Sequence, residues 1–112
     1  MTAVKRSETE HEPIMDGRTR YLAHGENLML VVIDFEDGPY AEPDPPHSHP
    51  HEQVTYVADG ELLFFINGEP TQLSAGDLIT VPPDAPHTIQ LISKTARLVD
   101  SFTPLREDFL KK

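Results

Sequence analysis

Eleven prolines and six glycines cut this chain into short apolar runs, and no run sustains a helical period. Runs of that length closed by turn residues are the pattern of an all-β sandwich or barrel. The strongest hairpin signal is Asn67-Gly68, which is expected to join strands at 61–67 and 71–74. Further strands are expected at 19–24 after the Asp16-Gly17 turn, at 27–36, at 53–58 before Asp59-Gly60, and at 78–81, 87–92 and 96–102. Residues 105–112 have room for at most about one or two helical turns.

Two of these runs, Leu28-Met29-Leu30-Val31-Val32-Ile33 and Leu62-Leu63-Phe64-Phe65-Ile66, leave neither face polar. A strand apolar on both faces needs cover on each side, so a second copy is expected over the outer sheet and the chain is expected to be a homodimer. Residues 1–13 are polar and expected to be a mobile tail, followed by one domain over 14–112.

With 112 residues and no cysteine, the domain rests on its core rather than on disulfides, and a transition metal would have to be held by imidazole, amide or carboxylate. The N-terminus carries Lys5, Arg6, Glu8, Glu10 and Glu12 without an apolar stretch, and no run approaches membrane-spanning length. The expected location is the cytoplasm, with no membrane partner. A net charge of -10 with scattered Lys and Arg opposes nucleic acid. It also opposes small anions, so an anionic substrate would need a local cation at its site.

Three of the six histidines fall within Pro45-Pro-His-Ser-His-Pro-His-Glu-Gln53. On extended backbone, residues two apart point the same way, so His47 and His49 share a side that Gln53 regains. His87 supplies a further imidazole: it follows Pro82-Pro83-Asp84-Ala85-Pro86 and alternates with Ile89 and Leu91. His51 is expected at the rim or behind the ligands because Pro50 disturbs the strand, Glu52 has the wrong parity to replace Gln53, and His11 and His24 read as surface histidines.

The spacing His47-x-His49-x3-Gln53-x6-Gly60, then Gly76-x5-Pro82-x4-His87, resembles the two motifs of the cupin family. The resemblance implies a small double-stranded β-helix, a jelly-roll barrel, with one divalent metal in its lumen held by His47, His49, Gln53 and His87. Gln53 stands where the family usually has Glu, and Asp84 replaces a glycine of the second motif. Three neutral imidazoles and an amide leave the metal's charge uncompensated, which favours Lewis-acid chemistry over oxygen activation. Nickel, zinc, iron and manganese all suit such donors.

The ending Asp100-Ser-Phe102-Thr-Pro104-Leu-Arg106-Glu-Asp-Phe-Leu110 resembles that of the KdgF-type cupins, which help convert 4,5-unsaturated monouronates from pectin and alginate breakdown into linear keto-uronates. The resemblance implies that Asp100, Phe102 and Arg106 line the pocket. Asp100 would serve as general acid or base, Arg106 would grip a carboxylate, and Phe102 would pack on the sugar. The implied activity is a metal-dependent sugar-acid isomerase. A cupin dioxygenase acting on a phenolic or diketone, and a non-catalytic small-molecule-binding cupin, are the alternatives.

Overall fold

A computed structural model describes residues 3–110. The first two residues of the expected tail and the last two of the C-terminal segment lie outside the described residues. The described chain forms β1 (Glu12–Met15), β2 (Arg18–His24), β3 (Met29–Phe35), β4 (Glu52–Asp59), β5 (Glu61–Ile66), β6 (Glu69–Ser74), β7 (Leu78–Val81), β8 (His87–Leu91), β9 (Ala96–Thr103) and a four-residue helix α1 (Glu107–Leu110). All pairings are antiparallel, in a six-stranded sheet ordered β1-β2-β3-β9-β4-β7 and a three-stranded sheet ordered β6-β5-β8. The two sheets close on each other as a jelly-roll barrel, the expected fold.

Turn chemistry accounts for the closest corners. Asn67 and Gly68 both hold positive φ, 52° and 81°, the type I′ geometry that matches the twist of a hairpin. Gly60, at φ 89°, carries the chain from one sheet to the other. A Cβ there would lie 2.3 Å from the Thr95 carbonyl oxygen, so no larger residue fits without moving the β8–β9 connection.

Strand β1 begins at Glu12, two residues inside the stretch expected to be a tail. Its backbone pairs with β2, Glu12 opposite Arg20 and Pro13 opposite Thr19. The strand buries no side chain, which is why hydrophobic pattern does not reveal it. Backbone pairing along an edge needs no apolar face.

The two fully apolar runs behave differently from one another. In β3, Met29, Val31 and Phe35 are buried while Leu30 is 45 % exposed on the outer face. In β5, Leu62 and Phe64 are buried and Leu63 and Phe65 half-buried. The main core gathers inward residues of both sheets, including Phe35, Val57, Leu62, Phe64, Leu73, Ile89, Leu91 and Leu98. A smaller cluster of Met29, Val31 and Phe102 is backed by Leu105 and Phe109.

The proline-rich loop before His47 is fastened to the open edge of β8. The amides of Tyr40 and Asp44 donate to the carbonyls of Leu91 and Ile89 at 2.9 and 3.0 Å. Thr88 Oγ1 donates to the Asp44 carbonyl at 2.7 Å, and Gln90 Nε2 to that of Tyr40 at 2.9 Å. Pro39, Pro43, Pro45 and Pro46 have no amide to donate, so the attachment is intermittent and side chains complete it. Asp44 also pairs through both carboxylate oxygens with Arg18 of β2, which ties the loop across to the larger sheet.

Candidate metal centre and cavity

Each imidazole is set by a different piece of backbone. His47 and His87 exchange amide bonds across an isolated bridge, 3.0 Å from His47 N to His87 O and 2.9 Å in return. Two residues on, the His49 carbonyl accepts from the Asp84 amide at 2.8 Å. Asp84 takes a positive φ of 64° within the Pro82–Pro86 turn. Residues 47–51 therefore run as bridge, coil and bend rather than as strand. The shared side of His47 and His49 comes from these anchors and not from regular pleating. Gln53 is the first inward residue of β4, opposite Phe102 of β9 and Val81 of β7.

One nitrogen from each of His47, His49 and His87 lies within 4.8 Å of the others. The ring centroids are 4.3 Å apart for His47 and His87, 4.9 Å for His49 and His87, and 6.0 Å for His47 and His49. His49 and His87 are buried, while His47 is exposed. Desolvation first, then the neighbouring imidazoles and Arg106, pushes His47 down to about 4. Burial lowers His49 and His87 as well, with Arg106 opposing their protonation. All three rings are therefore neutral near pH 7, the state that a metal requires.

Tautomers point the free lone pairs inward. His87 Nδ1 is 2.8 Å from the Ala85 carbonyl and His49 Nδ1 is 3.1 Å from that of His51. A carbonyl only accepts, so both Nδ1 atoms carry the proton and both Nε2 atoms carry lone pairs. His87 Nε2 is buried with no hydrogen-bond partner. His49 Nε2 lies 2.9 Å from Gln53 Oε1, which sets two acceptors face to face. An orphaned lone pair and an acceptor–acceptor approach are both relieved by a cation among them. The donor set fits a metal: three imidazoles could hold one, and Gln53 Oε1 stands beside them.

Behind this group runs a buried polar row. Gln53 Nε2 donates to Thr55 Oγ1 at 2.9 Å, and Thr55 Oγ1 donates to Asp100 Oδ1 at 2.6 Å. Thr55 and Asp100 are cross-strand partners, with 0 % and 6 % of their surfaces accessible. Burial raises the Asp100 carboxyl from its ordinary range to about 6, against opposing contributions from the Thr55 hydrogen bond and Arg106. Sequence reasoning misses Thr55, although its parity with Gln53 and Val57 marks it as inward-facing.

Phe102 sits edge-on to His49, ring centroids 5.4 Å apart. Arg106 closes the wall from the segment after β9. Its guanidinium lies 4.1 Å above the Phe109 ring and 5.4 Å from that of Phe102. Its fork binds Asp108 at 3.0 and 2.7 Å, which draws the Asp108 carboxyl below its usual range. Arg20 reaches the same aromatic ring at 3.9 Å. His47, Gln53, His87, Asp100, Phe102 and Arg106 all line one cavity of about 410 Å³.

The other histidines are not members of the triad, although the His51 ring packs edge-on to that of His49 with centroids 5.5 Å apart. His51 Nε2 donates to the Leu105 carbonyl at 3.1 Å, fastening the segment that carries Arg106. His11 stacks on Tyr21 at 4.7 Å, and His24 Nδ1 donates to the Gly25 carbonyl at 3.0 Å. Glu52 is exposed on the outer face of β4.

Comparison with known proteins agrees with this geometry. The sequence model described as "Cupin domain" matches residues 31–102. The pectin degradation protein KdgF of Dickeya dadantii is 32 % identical over 105 residues, covering 92 % of this chain and 93 % of that protein. The solved structure of KdgF from Halomonas sp. superposes with a TM-score of 0.86 at 28 % identity, covering 97 % of this chain and 98 % of that one. An RmlC-like cupin from Shewanella frigidimarina gives a TM-score of 0.83 at 37 % identity, over 95 % of this chain and 93 % of that one.

Proposed function

The chain belongs to the cupin family, and we propose that it is a metal-dependent sugar-acid isomerase that opens 4,5-unsaturated monouronates to linear keto-uronates. The observation that carries this reading is the single cavity that joins imidazoles and Gln53 to a buried Asp100, whose carboxyl is raised to about 6, and the cationic Arg106. Likeness to the KdgF proteins over nearly the whole chain supports the substrate class.

His47, His49, Gln53 and His87 would hold a divalent transition ion. Bound there, such an ion supplies positive charge toward substrate hydroxyl or carbonyl oxygens. Arg106 provides the local cation that a chain of net charge -10 needs for an anionic substrate. Its fork is already engaged by a carboxylate, Asp108, and the uronate carboxylate takes that place. Phe102 packs against the sugar ring.

Asp100 moves the proton. Ring opening breaks the bond from C1 to the ring oxygen, leaves an aldehyde at C1 as its hydroxyl gives up a proton, and places a proton on the departing oxygen to form an enol at C5. The enol then becomes a ketone by protonation at C4 and loss of the enol proton. Every atom is retained, so the conversion is an isomerisation. A carboxyl raised to about 6 is poised to give and take these protons near neutral pH.

The test is the ultraviolet absorbance of an unsaturated monouronate incubated with metal-loaded protein. Decay faster than in buffer is the expected result, and an unchanged rate would sink the reading. Oxygen uptake with a phenolic substrate and iron-loaded protein would instead point to a dioxygenase.

The same reading includes a homodimer in the cytoplasm. On the outer face of the six-stranded sheet, Leu30, Tyr56 and Leu78 are 45, 42 and 65 % exposed, with Val54 beside them. A second copy would cover this stripe. Analytical ultracentrifugation is expected to show a dimer that Tyr56→Asp weakens; a monomer for the unaltered chain at micromolar concentration would refute it.

A further inference from the structure

Resting on the reading of Gln53 as a metal ligand, we propose that Thr55 is a positioning residue that orients the Gln53 amide and makes an amide, rather than a carboxylate, the side chain that fits position 53. The case is one of counting protons in a sealed space. Thr55 is fully buried, and its hydroxyl has one proton to give. Asp100 Oδ1, 2.6 Å away, accepts the hydrogen bond that this proton makes. Thr55 Oγ1 is then left with lone pairs facing Gln53, and only the NH2 side of the amide can satisfy them, at 2.9 Å. That orientation turns Gln53 Oε1 toward His49 Nε2 and the other imidazoles.

The direction of donation is thus set from Asp100 outward to the ligand. A glutamate at 53 has no donor to offer Thr55. Two carboxylates would then compete for one hydroxyl proton in a buried row, leaving one acceptor unsatisfied. The chain of three side chains also links the proton-transferring group to the metal-facing amide without any direct contact between them.

The experiment measures Zn2+ affinity of metal-stripped protein by competition with a chromophoric chelator, alongside the urea midpoint of the same metal-free samples. Gln53→Ala tests the underlying reading: unchanged Zn2+ affinity would remove Gln53 as a ligand and this proposal with it. Given a loss in Gln53→Ala, Thr55→Val is expected to weaken Zn2+ binding about 10- to 100-fold, the usual effect of removing the partner that orients a ligand. Thr55→Ser should restore affinity to within about threefold, because the hydroxyl returns. If Thr55→Val does not fold, Thr55→Ala removes the hydroxyl without adding bulk and is read the same way. Unchanged affinity in the folded hydroxyl-less variant, beside a clear loss in Gln53→Ala, would overturn the role of Thr55 and leave Gln53 as a ligand. A second arm reads the choice of amide: Gln53→Glu should bind Zn2+ no more tightly than the unaltered protein despite its added charge, and a gain of about tenfold or more would contradict the proton count.

Discussion

The inward faces of β4 and β9 pass through two environments within a few residues. At one end, Val57 and Leu98 face each other across the strands among Leu62, Phe64 and Leu91. At the other, Thr55 faces Asp100 and Gln53 faces Phe102, beside buried His49 and His87. The register runs unbroken from Glu52 opposite Thr103 to Val57 opposite Leu98 and shifts only beyond Val57, so within this span the side chains make the difference. The apolar end gains stability from burial, while the polar end holds a carboxyl against its own desolvation. On the proposed function, stability and chemistry are separated along one strand pair, and substitutions at the two ends should have opposite signatures.

Asp100→Asn gives the largest effect at the polar end. With proton transfer removed and the Thr55 hydrogen bond retained, the turnover rate on an unsaturated uronate should fall about 10²- to 10⁴-fold, measured under saturating metal. A rate within twofold of the unaltered protein would detach Asp100 from the chemistry. At the apolar end, Leu62→Ala should lower unfolding free energy by about 2–5 kcal/mol in urea titrations. The folded fraction should keep its turnover rate. A comparable loss of rate would show that the two ends are not independent.

The titration of Asp100 gives the sharpest contrast. Its folded value of about 6 lies above the ordinary 3.8, so the folded state holds the proton more tightly than the unfolded one. Stability of metal-free protein should be highest below 3.8 on this account and fall as pH rises through the window from 3.8 to 6. The full span is about 3 kcal/mol, and Asp100→Asn should remove it and leave the variant more stable than the parent at pH 7. A pH dependence of the urea midpoint identical in parent and variant would contradict the assignment to Asp100. Leu62→Ala should shift the whole profile down without changing its shape.

Much of the fold was legible because its signals are local. Asn67-Gly68 forms the hairpin corner, Gly60 turns between sheets, and the alternation of His87, Ile89 and Leu91 appears as a buried face of β8. Strand β1 was not legible, since an edge strand with both faces exposed leaves no hydrophobic pattern. Nor was the attachment of the proline-rich loop, whose amide bonds run to β8 more than forty residues away.

The sequence alone determined the all-β class and the inward position of Gln53, because turn residues and alternation are properties of neighbouring residues; it supplied three imidazoles without the regular pleating expected to align His47 and His49. Tertiary structure decided the rest of the centre. It set His47 against His87 by a bridge between distant segments, placed the Arg106 fork on Asp108, and laid Thr55 opposite Asp100. The direction of each proton in that buried row follows from which groups meet with no water between them. Strand register brings those groups together, and residue spacing along the chain carries no record of it.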